Sequence, residues 1–411
     1  MNPLYNAGIH LYKFCARVAS CRSPKVRKMI SGQNRTLEML SAHPDGFDVW
    51  IHAASLGEFE QGRPLIERLR REHPDWHILL SFFSPSGYEV RKNYDKVDCV
   101  VYLPFDTPDL VNRFLDAAQP RMAIFVKYEF WGNYLEQLKR RHIPTYIISS
   151  IFRPGQRFFR SWGAMFRDML RCFTHIFVQD SESKQLLDGI GVTDVTVAGD
   201  TRFDRVTDIL RKGKDCPAIG RWKGNGPLLI AGSSWPADES RYLPYINNHS
   251  TLKTIIAPHE FNAQRLQILK SHIEGKVMLL SELEPDGEIP SDVQVLIIDS
   301  FGLLSSLYRY ATVAIIGGGH GAGIHNINEA AVYGVPVIFG PNHYKFREAA
   351  DLIACGGGFE YSDSRSVASI LDRLLADNGK LRKSALSAAK YIKSHLGATD
   401  IIYSHIFSST K

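Results

Sequence analysis

The sequence predicts an α/β protein with two tandem, doubly wound Rossmann-like domains. The chain has 411 residues, which is more than a single hydrophobic core usually organises. Two series of short apolar runs recur along it, and polar or amphipathic stretches of helical length separate the runs. Uninterrupted apolar runs of this length are typical of strands that are buried on both faces of a parallel sheet covered by helices.

The runs fall into two groups that define the expected domains. Those of the first group are VWIHAA, HILLSFF, CVVYLP, MAIFVK, TYIISS, HIFVQD and VTVAG. Those of the second group are LLIAGS, KTIIAP, VMLLS, VLIID, VAIIGGG and VPVIFG. Between the groups, residues 205–226 are rich in charge, Gly and Pro and lack a sustained apolar period, so we expect a linker there. The predicted N-terminal domain is therefore 36–204, and the predicted C-terminal domain is 227–390.

Both ends of the chain are expected to be helical. In residues 1–35, a basic flank accompanies apolar side chains that share one helical face, namely Leu4, Leu11, Phe14, Cys15 and Val18. Such a segment fits an anionic membrane surface, and the alternative is a helix that caps the first domain. It contains no run of about 18 apolar residues that could span a bilayer. Residues 391–411 are predicted to form a final helix, which is a candidate to pack back on the N-terminal domain.

Composition and charge exclude few classes of function. A net charge of +6 and a pI near 8.9 suit a nucleic acid, an anionic membrane or a phosphorylated substrate about equally. The six cysteines lack the spacing of a disulfide framework or a zinc site, which indicates a reducing, cytoplasmic setting. No Asp-x-Asp pair and no His/Asp/Glu cluster has the spacing of metal ligands, so we predict a site without metal.

Polar residues follow many of the apolar runs. In open α/β sheets, ligands bind beyond the carboxyl ends of the strands, where loops lead into helices. The residues at these positions are Ser55, Gly57 and Glu58; Ser84, Ser86 and Gly87; Glu129; Ser233 and Ser234; His259; and the stretch that starts at Gly317. We therefore expect a functional site in a cleft between the two domains.

The stretch GGGHGAGIHNINEAAVYGVPVIFGP, residues 317–341, is the most unusual of these strand exits. Glycines without side chains would let backbone N–H groups approach an anion; they are Gly317, Gly318, Gly319, Gly321 and Gly323. Asn326 can cap a helix that begins near Ile327 and ends before Gly334. Glu329 could accept hydrogen bonds from the vicinal hydroxyls of a ribose. We interpret the stretch as a nucleotide site, and the alternative is a flexible glycine loop.

Two glutamates follow strands of the first group. Glu58 lies at a strand-to-helix turn, where partial burial could raise its pKa enough for it to take a proton from a hydroxyl. Alternatively, it merely complements the dipole of the helix. Glu129 is similarly placed, and Tyr128 and Trp131 beside it could line a sugar-sized pocket or form an aromatic cluster at the edge of the core.

Residues 152–171 interleave aromatic residues with arginines. The arginines are Arg153, Arg157, Arg160, Arg167 and Arg171. This pattern fits a groove for an anionic lipid, because arginine binds phosphate bidentately and aromatic residues suit a membrane interface. It also fits base stacking with single-stranded nucleic acid, or a plain amphipathic helix over the first core. The residues by themselves leave these three interpretations open.

Taken in their order and spacing, the motifs resemble those of the Kdo transferases of lipopolysaccharide assembly. The motifs are HAASLGEFEQGRPLIERL, EFWGNYL, QDSESKQLLDGIGV, VAGDTRFDRV, AGSSWPADES and GGGHGAGIHNINEAAVYGVPVIFGPNHYKFREA. The resemblance covers about residues 45–395 and implies a GT-B glycosyltransferase with an interdomain cleft. The reaction that it implies moves 3-deoxy-D-manno-oct-2-ulosonic acid (Kdo) from CMP-Kdo to a lipid A precursor. The implied place is the anionic, cytoplasmic face of the inner membrane, with peripheral or monotopic attachment and no nucleic-acid partner.

The resemblance also implies roles for individual residues. Glu58 matches the catalytic general base of the family and Glu129 its second glutamate, although Gly132 replaces the proline of that segment. The donor-binding residues expected from the motifs and the strand exits are Gly232, Ser233, His259, Gly317, Gly318, Gly319, His325, Asn326 and Glu329. The candidate acceptor-binding residues are Ser55, Arg153, Arg157 and Arg160.

This chain departs from the family pattern near the expected phosphate site. Where the family often has Pro-Arg-His, this chain has Pro258-His259 preceded by Ala257, so the arginine is missing. Trp235 stands where a histidine is common, and Lys345 or Arg347 could supply the positive charge instead. The implied transfer is inverting and uses CMP-Kdo as donor substrate without a metal or other cofactor. Another GT-B sugar-nucleotide enzyme, such as a UDP-sugar transferase or epimerase, would share the fold. A nucleic-acid-binding protein would explain the basic charge but would not need the glutamates.

Overall fold

Two units divide the chain in the computed structural model, which describes residues 3–284 and 287–407. The N-terminal unit comprises the chain up to Asp204 together with the chain from Gly397 onward. The C-terminal unit comprises Arg205–Leu396. Each unit contains one seven-stranded sheet.

The strands are short and are distributed evenly between the two units. Those of the N-terminal unit are β1 (Val49–His52), β2 (Ile78–Phe82), β3 (Cys99–Tyr102), β4 (Ala123–Val126), β5 (Thr145–Ser150), β6 (His175–Val178) and β7 (Val195–Val197). Those of the C-terminal unit are β8 (Leu228–Ser234), β9 (Lys253–Pro258), β10 (Val277–Leu279), β11 (Val295–Ile297), β12 (Val313–Ile316), β13 (Val337–Phe339) and β14 (Gly358–Glu360).

Helices separate most successive strands. Up to the unit boundary they are α1 (Pro3–Ser20), α2 (Pro24–Ser41), α3 (Leu56–Glu72), α4 (Pro85–Arg91), α5 (Pro108–Ala118), α6 (Gly132–Arg140), α7 (Ala164–Leu170), α8 (Ser181–Asp188) and α9 (Arg202–Lys212). They continue with α10 (Pro217–Lys223), α11 (Pro236–Asn248), α12 (Ala263–Ser271), α13 (Leu304–Leu307), α14 (Asn328–Ala331), α15 (Arg347–Cys355), α16 (Ser364–Leu375), α17 (Asn378–Ser394) and α18 (Ala398–Phe407). Short 3-10 segments occur at Arg157–Phe159, Leu280–Glu282 and Tyr308–Tyr310.

Both sheets are parallel, and each has one point where the strand order reverses. The order is β3-β2-β1-β4-β5-β6-β7 in the first sheet and β10-β11-β9-β8-β12-β13-β14 in the second. In the first sheet the chain builds outward from β1 and then crosses to the other side of β1 to form β4. In the second sheet it crosses in the same way from one side of β8 to form β12 on the other. The switch points therefore lie between β1 and β4 and between β8 and β12.

Helices cover both faces of each sheet, which explains why the strands are apolar throughout. In β1, Trp50 packs against Phe114 and Phe125, with ring centroids 5.0 and 5.2 Å away, whereas Val49 and Ile51 belong to the core on the opposite face. Successive side chains of a strand alternate between the faces of its sheet, so burial on both faces excludes polar residues from most positions. All thirteen apolar runs form strands, and the predicted fold class is confirmed. Strand β14 was not predicted, because Phe359 is its only large apolar residue.

The first two helices differ in how they contact the N-terminal unit. Helix α2 buries five residues, and two of its side chains, Gln33 and Thr36, donate to carbonyls at the end of β3, at 2.8 and 2.7 Å. Helix α1 buries only Ala16. Helix α2 is therefore the helix that caps the first core. Most of the apolar side chains that line one face of α1 are exposed instead. Residues 1 and 2 of the predicted 1–35 segment lie outside the described residues.

None of the helices within the described ranges is long and apolar enough to cross a membrane.

The end of the chain returns to the N-terminal unit. Helix α18 packs on α3, where Arg68 pairs with Asp400 and the His73 ring lies 3.0 Å from the Tyr403 hydroxyl. Residues 408–411 of the predicted final helix lie outside the described residues. The segment 391–396, which the prediction joined to this helix, belongs to the C-terminal unit and mostly continues α17.

Residues 205–226, which we expected to form a linker, contribute two helices to the C-terminal unit instead. They include most of α9 and all of α10. Ile219 and Trp222 of α10 are buried, and the Trp222 indole N–H donates to the carbonyl of Val293 at 2.9 Å. Helix α10 was not predicted, because only two of its seven residues are buried and the charged residues and glycines around them interrupt the apolar pattern.

Candidate active site

Several of the candidate residues lie at the two switch points, whereas His259 follows β9 and the three candidate arginines follow β5. Ser55 and Glu58 follow β1, and Glu129 follows the neighbouring strand β4. In the second sheet, Ser233 lies at the end of β8, and Gly317 follows the neighbouring strand β12. At a switch point, adjacent strands send their chains to opposite faces of the sheet, so a crevice opens between them where ligands bind.

Ser55 holds the carboxylate of Glu58. Ser55 precedes α3 in an extended conformation, with φ −141° and ψ 176°, and its hydroxyl donates to Glu58 Oε2. In a capping box the serine would instead accept a hydrogen bond from the amide three residues on. The hydroxyl therefore orients the carboxylate and leaves the helix end uncapped by this side chain. Because Glu58 is only half-buried, it remains accessible to a substrate.

Glu129 lies at one end of a row of hydrogen-bonded side chains that is buried in the first sheet. The Trp131 indole N–H donates to Glu129 Oε2 at 2.6 Å, and the Nε2 atom of the fully buried His52 lies 3.2 Å from the same oxygen. On its other side, His52 Nδ1 lies 2.9 Å from the hydroxyl of Ser81, to which Trp50 donates at 2.7 Å. These contacts fix the carboxylate far more tightly than an aromatic cluster at the core edge would.

The backbone that leads into Glu129 is strained. Lys127 has a φ of 71°, a left-handed conformation that residues other than glycine seldom adopt. Ser233, at the matching strand exit of the C-terminal unit, has a φ of 51°. Such strain costs on the order of 1–3 kcal/mol and is concentrated at functional sites, because surrounding contacts must impose it.

A cavity of about 480 Å³ opens beside Glu129. It is lined by Glu129 and Arg157 and by aromatic rings, among them those of Tyr5, Tyr128, Trp131 and Phe166. One carboxylate and one guanidinium within an aromatic wall suit a ligand with sugar hydroxyls, negative charge and apolar surface.

The three arginines proposed for the acceptor lie differently with respect to this cavity. Arg157 lines it, and Arg160 is an exposed residue outside its lining. Arg153 lies near Tyr128: burial raises the pKa of the Tyr128 hydroxyl, the charge of Arg153 opposes that rise, and the charge of Glu58 adds to it. Glu58 and Arg153 thus each lie close enough to Tyr128 for their charges to act on its hydroxyl.

Residues 152–171 do not form one amphipathic helix. A Cβ on Gly163 would lie 2.1 Å from the carbonyl oxygen of Arg157, and the chain turns there between the 3-10 segment and α7. Phe152 and Phe158 are buried in the first core, whereas Trp162 is 64% exposed. The aromatic residues of this segment therefore serve both the core and the surface.

Asp106, which the sequence analysis did not select, fixes the start of α6 behind Glu129. Its fully buried carboxylate accepts hydrogen bonds from the amides of Asn133 (3.1 Å) and Tyr134 (2.9 Å) and from the hydroxyl of Tyr5 (2.5 Å). Burial raises the pKa of Asp106 to about 6, and the three hydrogen bonds oppose the rise. Trp131 occupies the N-cap position without capping α6, so Asp106 satisfies the first amides of that helix from a distance.

In the C-terminal unit, glycines allow three loops to approach closely. A Cβ on Gly317 would lie 2.2 Å from the carbonyl oxygen of Ser233, and one on Gly319 would lie 2.6 Å from the backbone of Gly340. Gly318 has a φ of 91°. The glycines are thus required by contacts between the exits of β8, β12 and β13.

The expected cradle of free amides is not formed by these glycines. Four of their N–H groups donate within the protein: Gly317 to Gly232 O, Gly318 to Asp238 Oδ2, and both Gly321 and Gly323 to Gly318 O. The predicted helix is also shorter than expected, since α14 has only four residues, with Ile327 at the N-cap position. One turn carries little dipole, so an anion here would depend on side chains more than the sequence suggested.

Asn326 and Glu329 form one hydrogen-bonded pair. Asn326 Nδ2 donates to Glu329 Oε1 at 3.1 Å, and Asn326 Oδ1 accepts from the amide of Asn328 at 3.2 Å. Burial raises the pKa of Glu329, and the bond from Asn326 opposes this rise. The amide of Asn326 therefore orients the carboxylate that we expect to bind ribose hydroxyls.

Asp238, also absent from the sequence prediction, ties the glycine loop to the start of α11. It is fully buried and accepts from the amides of Trp235 (3.0 Å) and Gly318 (2.9 Å), and its other oxygen lies 3.1 Å from His320 Nδ1. Its place in the sequence Trp-Pro-Ala-Asp, at the third position of a helix that begins with proline, is a capping signal that could have identified it.

Three rings stack beside this loop. His259 lies between Trp235 and His325, with ring centroids 4.6 and 4.3 Å away. The Trp235 indole N–H donates to His325 Nε2 at 3.2 Å. Burial, followed by the nearby His259, lowers the pKa of His325. The ring is therefore neutral at pH 7, accepts on Nε2 and carries its proton on Nδ1.

Within the described ranges, no group of three or more His, Cys, Asp or Glu side chains has the geometry to hold a metal ion.

Comparisons with known proteins find relatives that match both halves of the chain. The family described as 3-deoxy-D-manno-octulosonic-acid transferase matches residues 18–205. The 3-deoxy-D-manno-octulosonic acid transferase of Aquifex aeolicus is 29% identical over 80% of this chain and 86% of its own length. That of Bordetella pertussis is 26% identical over 85% of each chain.

Solved structures show the same two-domain fold. A putative UDP-N-acetylglucosamine 2-epimerase from Listeria monocytogenes matches with a TM-score of 0.59 and 14% identity, over 89% of this chain and 98% of its own. The UDP-GlcNAc 2-epimerase of Neisseria meningitidis matches with a TM-score of 0.59 and 15% identity, over 88% and 99%. At this identity the match establishes the fold, which is of the GT-B type with two Rossmann-like domains.

We predict that Gly317→Ala destabilises the C-terminal unit, because its Cβ would force the exits of β8 and β12 apart. The free energy of unfolding should fall by about 1–3 kcal/mol, as is usual for overpacking. Gly321→Ala is the matched control, since its Cβ would meet its nearest neighbour at an ordinary 3.7 Å. Chemical denaturation measures both, and equal stability of the two variants would contradict the contact.

We also predict that acid stabilises the wild-type protein relative to Asp106→Asn. Because the folded pKa of about 6 lies above the unfolded value, the native state takes up the proton first as pH falls. This contribution is absent well above the folded pKa, is about 2 kcal/mol at pH 4, and approaches about 3 kcal/mol only at lower pH. Denaturant unfolding of both proteins between pH 7.5 and 4 measures the difference, and a difference that does not grow toward acid would refute the assignment.

Proposed function

The chain belongs to the family of 3-deoxy-D-manno-octulosonic acid (Kdo) transferases, and from this premise we propose that it transfers Kdo from CMP-Kdo to a lipid A precursor in lipopolysaccharide core assembly. The observation that carries the proposal is the position of the two family glutamates. Glu58 and Glu129 follow adjacent strands at the switch point of the first sheet, and Glu129 lines a cavity with amphiphilic walls.

We assign the donor to the C-terminal unit. The carboxylate of Glu329, oriented by Asn326, suits the two ribose hydroxyls of CMP. The ring stack of Trp235, His259 and His325 offers a rigid polar wall, and the N–H on His325 Nδ1 is a donor for the phosphate or for the Kdo carboxylate. Because four glycine amides are used internally, Lys345 or Arg347 remains a candidate for the positive charge near the phosphate.

The chemistry that we propose is a single inverting displacement. Glu58 takes the proton of an acceptor hydroxyl, and that oxygen forms a bond to the anomeric carbon of Kdo. The bond from this carbon to the phosphate oxygen breaks, and its electron pair leaves with CMP. Ser55 keeps the carboxylate in place during the transfer, and Glu129 holds the acceptor beside it. General base catalysis of this kind contributes about 10²–10⁴-fold to the rate, and the scheme requires no metal ion.

We propose peripheral attachment to the cytoplasmic face of the inner membrane, and the exposed row of α1 supports contact with a membrane surface. Its exposed apolar side chains are Leu4 (80%), Leu11 (63%), Phe14 (62%) and Val18 (58%). Lys13 and Arg17 lie on the same helix, where they can meet anionic headgroups. An apolar row with basic residues on a surface helix is the pattern of a segment that lies in the interface of a bilayer.

We predict that Glu58→Gln removes most of the transfer activity, lowering kcat about 10²–10⁴-fold while binding of CMP stays unchanged. Glu72→Gln, at the exposed end of the same helix, is the control and should retain activity. The measurement is transfer of labelled Kdo from CMP-Kdo, generated in the assay, to a tetraacylated lipid A precursor with EDTA present. Wild-type protein that is stabilised by UDP instead of CMP and forms no product would overturn the proposal.

We also predict that the double substitution Leu11→Ser with Phe14→Ser weakens binding to vesicles that contain anionic lipid by about tenfold or more, because two apolar side chains no longer enter the interface. Vesicle flotation measures the bound fraction. Leu386→Ser is the matched control, since Leu386 is 62% exposed on α17 of the other unit. Unchanged binding of the double variant would argue against α1 as the membrane contact.

A further inference from the structure

Helix α1 contacts the segment that follows Glu129. The hydroxyl of Tyr5 donates to Asp106 and accepts from the amide of Gly132 at 3.0 Å. The next residue, Asn6, accepts from Asn133 Nδ2 at 2.8 Å. Two consecutive residues of α1 are therefore bonded to the first two residues of α6, more than 120 positions away in the chain.

Tyr5 also forms part of the wall of the cavity beside Glu129. Its ring packs at the edge of the first core, while its neighbour Leu4 is 80% exposed. The exposed apolar row of α1 is thus adjacent, through Tyr5, to the aromatic lining of the cavity. A surface helix that served only to hold the membrane would need none of these contacts.

We infer that α1 is a part of the acceptor site, in which Tyr5 positions the Gly132–Asn133 turn behind Glu129 and its ring guides a lipid acceptor from the membrane into the cavity. The inference rests on the proposed function and adds the route and orientation of the substrate. Acyl chains lie along α1 and Tyr5, Glu129 holds the acceptor sugar so that its reacting hydroxyl faces Glu58, and a phosphate of the acceptor lies near Arg157.

The two roles of Tyr5 can be separated by substitution. Tyr5→Phe keeps the ring and removes both hydrogen bonds, so the turn behind Glu129 loosens. We expect kcat to fall about fivefold while the KM for the acceptor stays close to the wild-type value. Tyr5→Ala removes the wall as well, and we expect the KM for the acceptor to rise at least tenfold. Neither variant should change the KM for CMP-Kdo.

The assay uses the full chain and an acceptor dispersed in detergent micelles, where attachment to a bilayer is not needed. His10→Ala, an exposed position on the same helix, is the control and should behave as wild type. Wild-type kinetics of Tyr5→Ala in micelles would overturn the inference. An equal rise of both KM values together with a lowered melting temperature would also overturn it, because this result indicates general damage to the fold.

Hydrogen exchange separates failure of this inference from failure of the proposed function. If wild-type protein transfers no Kdo, the function is wrong, but the wall can still be tested with micelles of the lipid A precursor alone. The inference then requires that the precursor slow exchange at the amides of Gly132, Asn133 and Tyr134, and that Tyr5→Ala abolish this effect. Exchange that the precursor does not change would overturn it.

Discussion

Each group of candidate residues depends on one constraint, which is that two adjacent parallel strands send their chains to opposite faces of the sheet. Where β1 and β4 separate, Glu58 and Glu129 emerge on neighbouring loops, and where β8 and β12 separate, Ser233 and the glycine loop do the same. The strands themselves cannot supply polar groups, because helices bury both of their faces. The chemistry of this protein is therefore confined to the carboxyl ends of the strands.

Two buried aspartates make these loops rigid. Asp106 and Asp238 are fully buried, and each binds two backbone amides together with a tyrosine hydroxyl or a histidine ring. Burial of a carboxylate is unfavourable unless hydrogen bonds compensate, so such groups persist where they organise the backbone. Because the two aspartates accept from backbone amides at the loop and helix ends, the glutamates do not have to satisfy those amides.

The two N-terminal helices pack differently against the first unit. Helix α2 covers the edge of the first core, and helix α1 keeps an apolar row exposed while Tyr5 and Asn6 hold it against α6. A helix that buried its apolar face in the core could not keep such a row exposed. The few polar contacts of α1 allow it to be both attached and exposed.

The local pattern was sufficient to predict the strands and to place most of the candidate site residues at strand exits. The apolar runs identified thirteen strands, because a strand that is buried on both faces of its sheet is apolar at almost every position. The motifs located Glu58, Glu129, Asn326 and Glu329, since strand exits can be read along the chain. Only the tertiary structure decided the use of the glycine amides, the four-residue length of α14, and the roles of Asp106, Asp238 and Tyr5. Each of these depends on contacts between residues that are far apart in sequence, such as the 101 positions between Tyr5 and Asp106, and no local period or spacing encodes such a contact.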